Sequence, residues 1–359
     1  MIDAISFLIY LLLFTGLSHF LCPYHFINRF VWLIASGIVL LYVVHPFALV
    51  FACGSFCVSY CVYLLGRWTN NSRLKSRLPY LILTILIFPE VFKALVDNPV
   101  LLLGSAFFVI RQMMTVEQCI KYSVSNTQFI PSLLLATFFC AAIPSGPVFD
   151  GLNIYKQLKK NRVADYSEGF YRLFEGFIYL FAMAGICREL SRVATVIGSR
   201  DTELLVSVSM EFIAKPLASF GFLFATFYGY SRMAEGNAML FGLKLPVNFD
   251  KPHLAKDLGD FWKRWHRSMA NFVMQYIYLP LLVTTSSAKI ALISAFMFMA
   301  MWHNFSLGFF FWGLGHGLGL AYLLPWARNR GISPMIIRIF SLLIVVSLSS
   351  VAHGVWIDE

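Results

Sequence analysis

Charge is what this chain has least of. Only 13% of its 359 residues are Asp, Glu, Lys or Arg, while 59% are hydrophobic; an ordinary soluble domain carries roughly 25% charged residues. So little charge cannot clothe a water-facing surface over this length. A soluble globular enzyme is excluded, and an exterior facing lipid is implied. Acidic residues are the scarcer sign, 18 against 28 basic. The basic excess is confined to short loops: Arg67, Arg73, Lys75 and Arg77; Lys156, Lys159, Lys160 and Arg162; Lys251 to Arg267; and Arg328 with Arg330. That is the positive-inside distribution. No basic-aromatic surface module goes with it, so nucleic acid is not an expected partner and membrane lipids are.

Other absences narrow the chemistry. There is no Gly-x-Ser-x-Gly elbow, no His-Glu-x-x-His helix and no Walker loop, which removes the serine-hydrolase, zincin and nucleotide-loop mechanisms. Cysteine is sparse and scattered. Cys53, Cys57 and Cys61 share one helical face at i, i+4 and i+8, but no His or acid accompanies them. Small packing residues in a membrane helix are expected there, not metal ligands. Asp3 precedes the first apolar run, Ile5–Leu21, with no Lys or Arg before it. A retained first span with its N-terminus outside is expected.

What is abundant is apolar sequence in membrane-length runs. A helix needs about 20 apolar residues to cross the hydrocarbon. Candidate spans are 5–22, 30–46, 47–65, 78–96, 99–116, 127–144, 170–188, 204–228, 270–285, 288–304, 307–325 and 336–353. Several are short or broken by Pro or Gly, so nine to eleven true crossings are expected, with re-entrant pieces. Ser145-Gly146-Pro147 and Pro216 mark broken helices, tolerated at membrane depth only where protein covers the backbone. Glu211 and Lys215, at i and i+4, are expected to neutralise one another. No fixed-period repeat appears, and the chain reads as a single membrane domain, 1–359.

Two places carry the residues that could do chemistry. The segment 250–268 gathers Lys251, Lys256, Lys263, Arg264 and Arg267 with Phe261, Trp262, Trp265, His253 and His266. It suits an amphipathic element in the headgroup region, and a plain surface anchor fits it as well. His303 ends an almost wholly apolar run from Ala291. An ionisable group at bilayer depth costs from ~2.5 to more than 10 kcal/mol depending on the measure, and so marks a candidate site. Buried there, it would stay neutral and able to accept a proton. A general base and an imidazole satisfied by a carbonyl or a Trp both fit. His316, in Gly313-Leu314-Gly315-His316-Gly317, lies where glycines permit close helix approach.

Four ordered motifs carry a resemblance. Tyr228-Gly229-Tyr230-Ser231-Arg232-Met233-Ala234-Glu235-Gly236, Phe241 to Pro252, Asp260 to Ser268, and Tyr276–Leu281 followed by Trp302-His303 occur in sequence, after a Phe138–Pro147 turn. Over roughly residues 100–320 the chain resembles the membrane-bound O-acyltransferase family, in its bacterial branch of alginate O-acetylation and teichoic acid D-alanylation. It departs from the family's pattern at Asn304, where Gly is common, at Arg232, where alginate-type members often carry Asp, and after Pro280, where no Gly-Gly follows.

The resemblance implies an all-α polytopic bundle around a central tunnel, with N-terminal helices (1–98), a motif-bearing core (99–325) and a C-terminal helix (326–359), in the bacterial plasma (inner) membrane. It implies acyl transfer from a thioester donor on the cytoplasmic side to a hydroxyl of an envelope polymer. His303 is the implied catalytic base and His266 its polar partner. Trp262, Arg264, Trp265, Ser268, Trp302, Asn304 and His316 are the donor- and substrate-binding candidates. No permanent cofactor or metal is expected. The co-substrate would be acetyl-CoA or a phosphopantetheinyl acyl carrier protein, and an extracytoplasmic acyltransferase partner is expected. A non-catalytic conduit or scaffold serving a partner acyltransferase is the alternative.

Overall fold

Among the described residues, apolar stretches of twenty or so form helices, and wide turns open before three of the prolines. A computed structural model describes residues 26–44, 46–86, 105–143, 146–160, 163–198, 206, 209–303 and 305–353, with no strand among them. The chain divides into two compact units: Met1–Phe177 with Tyr230–Pro246, and Ile178–Gly229 with Val247–Glu359.

The first unit contains α1 (Phe26–Val44), α2 (Pro46–Trp68), α3 (Ser72–Arg77) running into a 3₁₀ segment Leu78–Leu86, α4 (Ser105–Lys121), α5 (Asn126–Phe138), α6 (Gly151–Lys159) and α7 (Tyr166–Phe177). Polar side chains join these helices where lipid could not solvate them. Gln112 accepts from Ser59 Oγ at 3.2 Å and donates to Ser55 Oγ at 3.0 Å and Thr137 Oγ1 at 2.9 Å, linking α2, α4 and α5. Gly37 lets α1 close on α5, since a Cβ there would meet the Phe138 carbonyl oxygen at 1.8 Å.

Within this unit Glu235 is almost wholly buried and accepts from Arg172 Nη1 at 2.6 Å and Arg232 Nη1 at 2.9 Å. Arg172 also holds Glu168 and Arg232 also holds Glu175, each through Nε at 2.6 Å. Three carboxylates and two guanidiniums thus lie in helices long and apolar enough to cross a membrane. Gly236 sets the spacing: its Cβ would meet the Gly169 carbonyl oxygen at 2.6 Å.

The second unit begins with a π-helical turn Ile178–Met183 and α8 (Ala184–Gly198). Another π turn, Met210–Ala214, opens α9 (Lys215–Leu240), whose residues up to Gly229 belong here. Then follow α10 (Leu258–Arg264), α11 (Arg267–Val273), a π turn Met274–Tyr278, α12 (Leu279–Thr285), α13 (Ala288–His303), α14 (Leu307–Leu318), a π turn Gly319–Leu323, α15 (Leu324–Asn329) and α16 (Pro334–His353). Three π turns stand just before a proline: Pro216, Pro280 and Pro325. A proline ring clashes with the carbonyl four residues back and offers no N–H, and the widened turn accommodates both defects.

Five described helices have the length and composition of membrane spans: Phe26–Val43, Pro46–Trp68, Tyr166–Gly198, Phe212–Leu240 and Leu307–Asn329; Ala288–His303 and Pro334–Ser349 are shorter apolar helices. The expected span 5–22 lies outside the described residues, as do Ser145 and the Glu211 side chain. One expectation is overturned. Cys53, Cys57 and Cys61 are exposed, and the packing face of α2 is instead Ala52, Ser55, Ser59 and Gly66. Spacing identifies residues that share a face without saying which face is covered.

Candidate active site

The segment 250–268, which sequence reads as an interfacial element or surface anchor, turns Phe261 and Trp265 into the protein. Asp257 caps α10 by accepting from Asp260 N at 3.0 Å and pairs with Arg328 at 2.5 Å. Burial pushes its carboxyl up, but these hydrogen bonds and the guanidinium outweigh that and hold it below the ordinary carboxylate range. From α10, Phe261 and Trp265 enter a cluster with Phe249, Leu258 and Val345, against which Phe220, Phe224 and Phe227 of α9 pack. Trp265 stacks on Phe220 and Phe261, each 5.4 Å between ring centroids.

His266 then breaks the helix. Its backbone is left-handed, φ 43° and ψ 51°, a region costly for any residue with a Cβ. Flanking backbone bonds impose it: Asp250 N to Arg264 O at 3.0 Å, Arg267 N to Asn248 O at 2.8 Å, and Ala270 N to His266 O at 2.9 Å. The imidazole is buried, edge-on to Phe227 at 4.6 Å and 6.0 Å from Trp302. Burial pushes its pKa down to about 3, so the ring is neutral throughout the physiological range.

These side chains wall a cavity of about 420 Å³ within the second unit. Phe227, Phe261, Trp262, Trp265, Phe296, Trp302 and Trp312 supply an aromatic lining, and His266 and His303 are its imidazoles. In α13, Ala291, Ala295 and Met299 form a buried stripe at i+4 intervals, and His303 is its next member. The helix ends there, so His303 shares the stripe's face yet is exposed, contrary to the buried position expected from its apolar neighbours. Its ring lies 4.5 Å from Trp302 and parallel to Phe309 at 5.2 Å. Such a residue on the wall of an apolar cavity can take a proton from a hydroxyl that reaches it.

The other expected site residues divide. Trp262, Trp265 and Trp302 line the cavity with the two histidines. His316 is fully buried but stands behind the wall, edge-on to Trp262 at 5.2 Å, with Nδ1 2.8 Å from the Trp312 carbonyl oxygen. A carbonyl only accepts, so Nδ1 carries a proton. His316 Nε2 and the Trp262 indole N–H are both buried without a hydrogen-bond partner among the described residues. Arg264 is turned to Asp260 and the Asp250 carbonyl, and Ser268 donates to Asn248 Oδ1 at 2.6 Å; neither is in the wall. Asn304 lies outside the described residues. Sequence reasoning missed Arg267, Asn271, Tyr278 and the α9 residues Phe220, Leu223 and Phe227. The last three recur at i, i+3 and i+7, the one signal that could have found them.

Gly313 makes the α13–α14 contact possible: a Cβ there would lie 2.7 Å from the Ala300 Cβ and 2.9 Å from the Phe296 carbonyl oxygen.

The sequence model of the membrane-bound O-acyltransferase family matches residues 138–355, more than half of the chain. The chain is 30% identical over 205 residues to a peptidoglycan O-acetyltransferase of Helicobacter pylori, covering 55% of this chain and 38% of that protein. It is 32% identical over 122 residues to a teichoic acid D-alanyltransferase of Streptococcus thermophilus, covering 31% of this chain and 29% of that protein. To the Azotobacter vinelandii protein named "Probable alginate O-acetylase AlgI" it is 25% identical over 234 residues, covering 63% and 45%. The matched region is less than half the length of each of these relatives.

Proposed function

The chain belongs to the membrane-bound O-acyltransferase family, and on that premise we propose that it transfers an acyl group, acetyl or D-alanyl, from a thioester donor on the cytoplasmic side to a hydroxyl of a cell-envelope polymer. The observation that carries this reading is the placing of His266 and His303 on one aromatic-walled cavity. His303 takes the hydroxyl proton as the oxygen attacks the thioester carbonyl; the new C–O bond forms, the C–S bond breaks, and the proton passes to the departing thiolate. His266, neutral and held by its backbone, offers a ring N–H to the oxyanion of the tetrahedral intermediate. Aromatic walls keep water from the thioester. The donor is acetyl-CoA or a phosphopantetheinyl carrier protein, the setting is the bacterial inner membrane, and an extracytoplasmic acyltransferase is the expected partner.

His303→Ala tests the reading. Envelope polymers from cells carrying the variant should lose their acetyl or D-alanyl mass on mass spectrometry, while the variant is inserted and unfolds at the wild-type temperature. Unchanged acylation would overturn the base assignment and favour a conduit that serves another enzyme.

A further inference from the structure

Apart from the cavity, the first unit carries an open depression of about 510 Å³ lined by Asn153, Lys156, Gln157, Lys159, Lys160 and Lys244. None of these six residues is acidic. We propose that this four-lysine cradle is a phosphate site that holds the phosphorylated end of a small soluble donor; that identity of the ligand rests on the acyl-transfer reading above, whereas the anion site itself does not.

The cradle is built from two segments. Lys156, Lys159 and Lys160 come from the end of α6, where the helix dipole favours cations. The dipole cannot account for Lys244, which comes from the loop after α9. Gln157 fixes that loop with both ends of its amide: Oε1 accepts from Lys244 N at 2.9 Å, and Nε2 donates to Lys244 O at 3.2 Å. The clamp holds Lys244 against three other positive charges, of which Lys156 also meets the field of Asp150, and gathers positive potential in a concavity.

Two observations favour a soluble phosphate over a lipid headgroup. The apolar face of α6 (Leu152, Ile154, Tyr155 and Leu158) is buried in the protein, so the helix has no apolar face left to lay into a bilayer. The lysines also form a hollow, which suits a compact polyanion. Their side of the unit is fixed as well. Lys156 Nζ lies 5.9 Å over the Tyr122 ring, and the adjoining Val124 carbonyl accepts from Arg67 Nη1 at 2.9 Å, so the cradle adjoins the basic loop that the positive-inside rule assigns to the cytoplasm.

The test is calorimetric titration of the purified full chain, in phosphatidylcholine nanodiscs, with adenosine 3′,5′-bisphosphate, the nucleotide end of coenzyme A. Wild type should bind it, more weakly as salt rises. Lys159→Gln with Lys244→Gln should raise Kd about tenfold or more, the effect of losing charged hydrogen bonds. Gln157→Ala, which keeps every charge, should also raise Kd, because the loop carrying Lys244 is released; Arg73→Gln, outside the cradle, should not. Unfolding temperatures near wild type certify the variants. No binding to wild type, or equal Kd for wild type and the double variant, overturns the proposal. A Gln157→Ala variant that binds as wild type reduces the cradle to diffuse charge and overturns it too. So does binding abolished by moving wild type into phosphatidylglycerol nanodiscs, which would assign the lysines to headgroups. Because the readout is binding, these results stand whatever His303→Ala does to acylation.

Discussion

The ion network around buried Glu235 in the first unit makes a prediction in which charge counting fixes the order of effects. Wild type holds three carboxylates, Glu168, Glu175 and Glu235, with two guanidiniums, Arg172 and Arg232. Glu235→Ala leaves two of each: Arg172 keeps Glu168 and Arg232 keeps Glu175. Arg232→Ala leaves three carboxylates around one guanidinium, and both Glu175 and the almost wholly buried Glu235 lose a partner. Stranding a buried charge costs roughly 3–5 kcal/mol, whereas removing a buried ion and leaving its neighbours balanced costs less. We therefore expect Arg232→Ala to destabilise by about 4 kcal/mol and Glu235→Ala by about half that. At roughly 2 °C per kcal/mol for a large chain, the unfolding temperatures should fall by about 8 °C and 4 °C. The double variant should be less than additive, because the groups share one network. Thermal unfolding of the detergent-solubilised proteins reads all three. Equal losses, or the reverse order, would refute the argument from charge balance.

Two further variants probe the cavity. Burial holds His266 at about 3 against 6.5 for a free imidazole, so the unfolded chain binds a proton that the folded one excludes; stability is whole above pH 6.5 and declines as pH falls toward 3. His266→Gln should flatten the unfolding temperature across that window, and a profile parallel to wild type would contradict the assignment. Gly313→Ala forces a methyl to within 2.7 Å of the Ala300 Cβ. It should cost about 1–3 kcal/mol and lower envelope acylation by shifting α13, and an unchanged unfolding temperature would show that the helices simply move apart.

Much of the helical architecture is legible in the sequence because apolar run length decides membrane crossing: α1, α2 and α14 start within four residues of the expected spans. The site is legible only in part. The ordered motifs single out His266 and His303, but nothing local to residues 260–268 says that the chain turns back at an imidazole, since left-handed backbone is usually announced by Gly or Asn. The aromatic residues of that segment read equally well as an anchor in lipid headgroups and as protein core, because both environments reward the same side chains. Composition cannot separate them; the partners Phe220, Phe224 and Phe249, distant in sequence, do. His303 misled in the opposite direction, since an apolar run predicts burial for its middle better than for its end.

The left-handed backbone at His266 bears on which residues the position can hold. Glycine would sit there without the Cβ penalty of about 1–2 kcal/mol, but it would leave empty the space that the ring fills beside Phe227 and Trp302. Backbone and side chain therefore pull in opposite directions at this turn. The imidazole keeps its place in the cavity wall against the local preference of its own backbone.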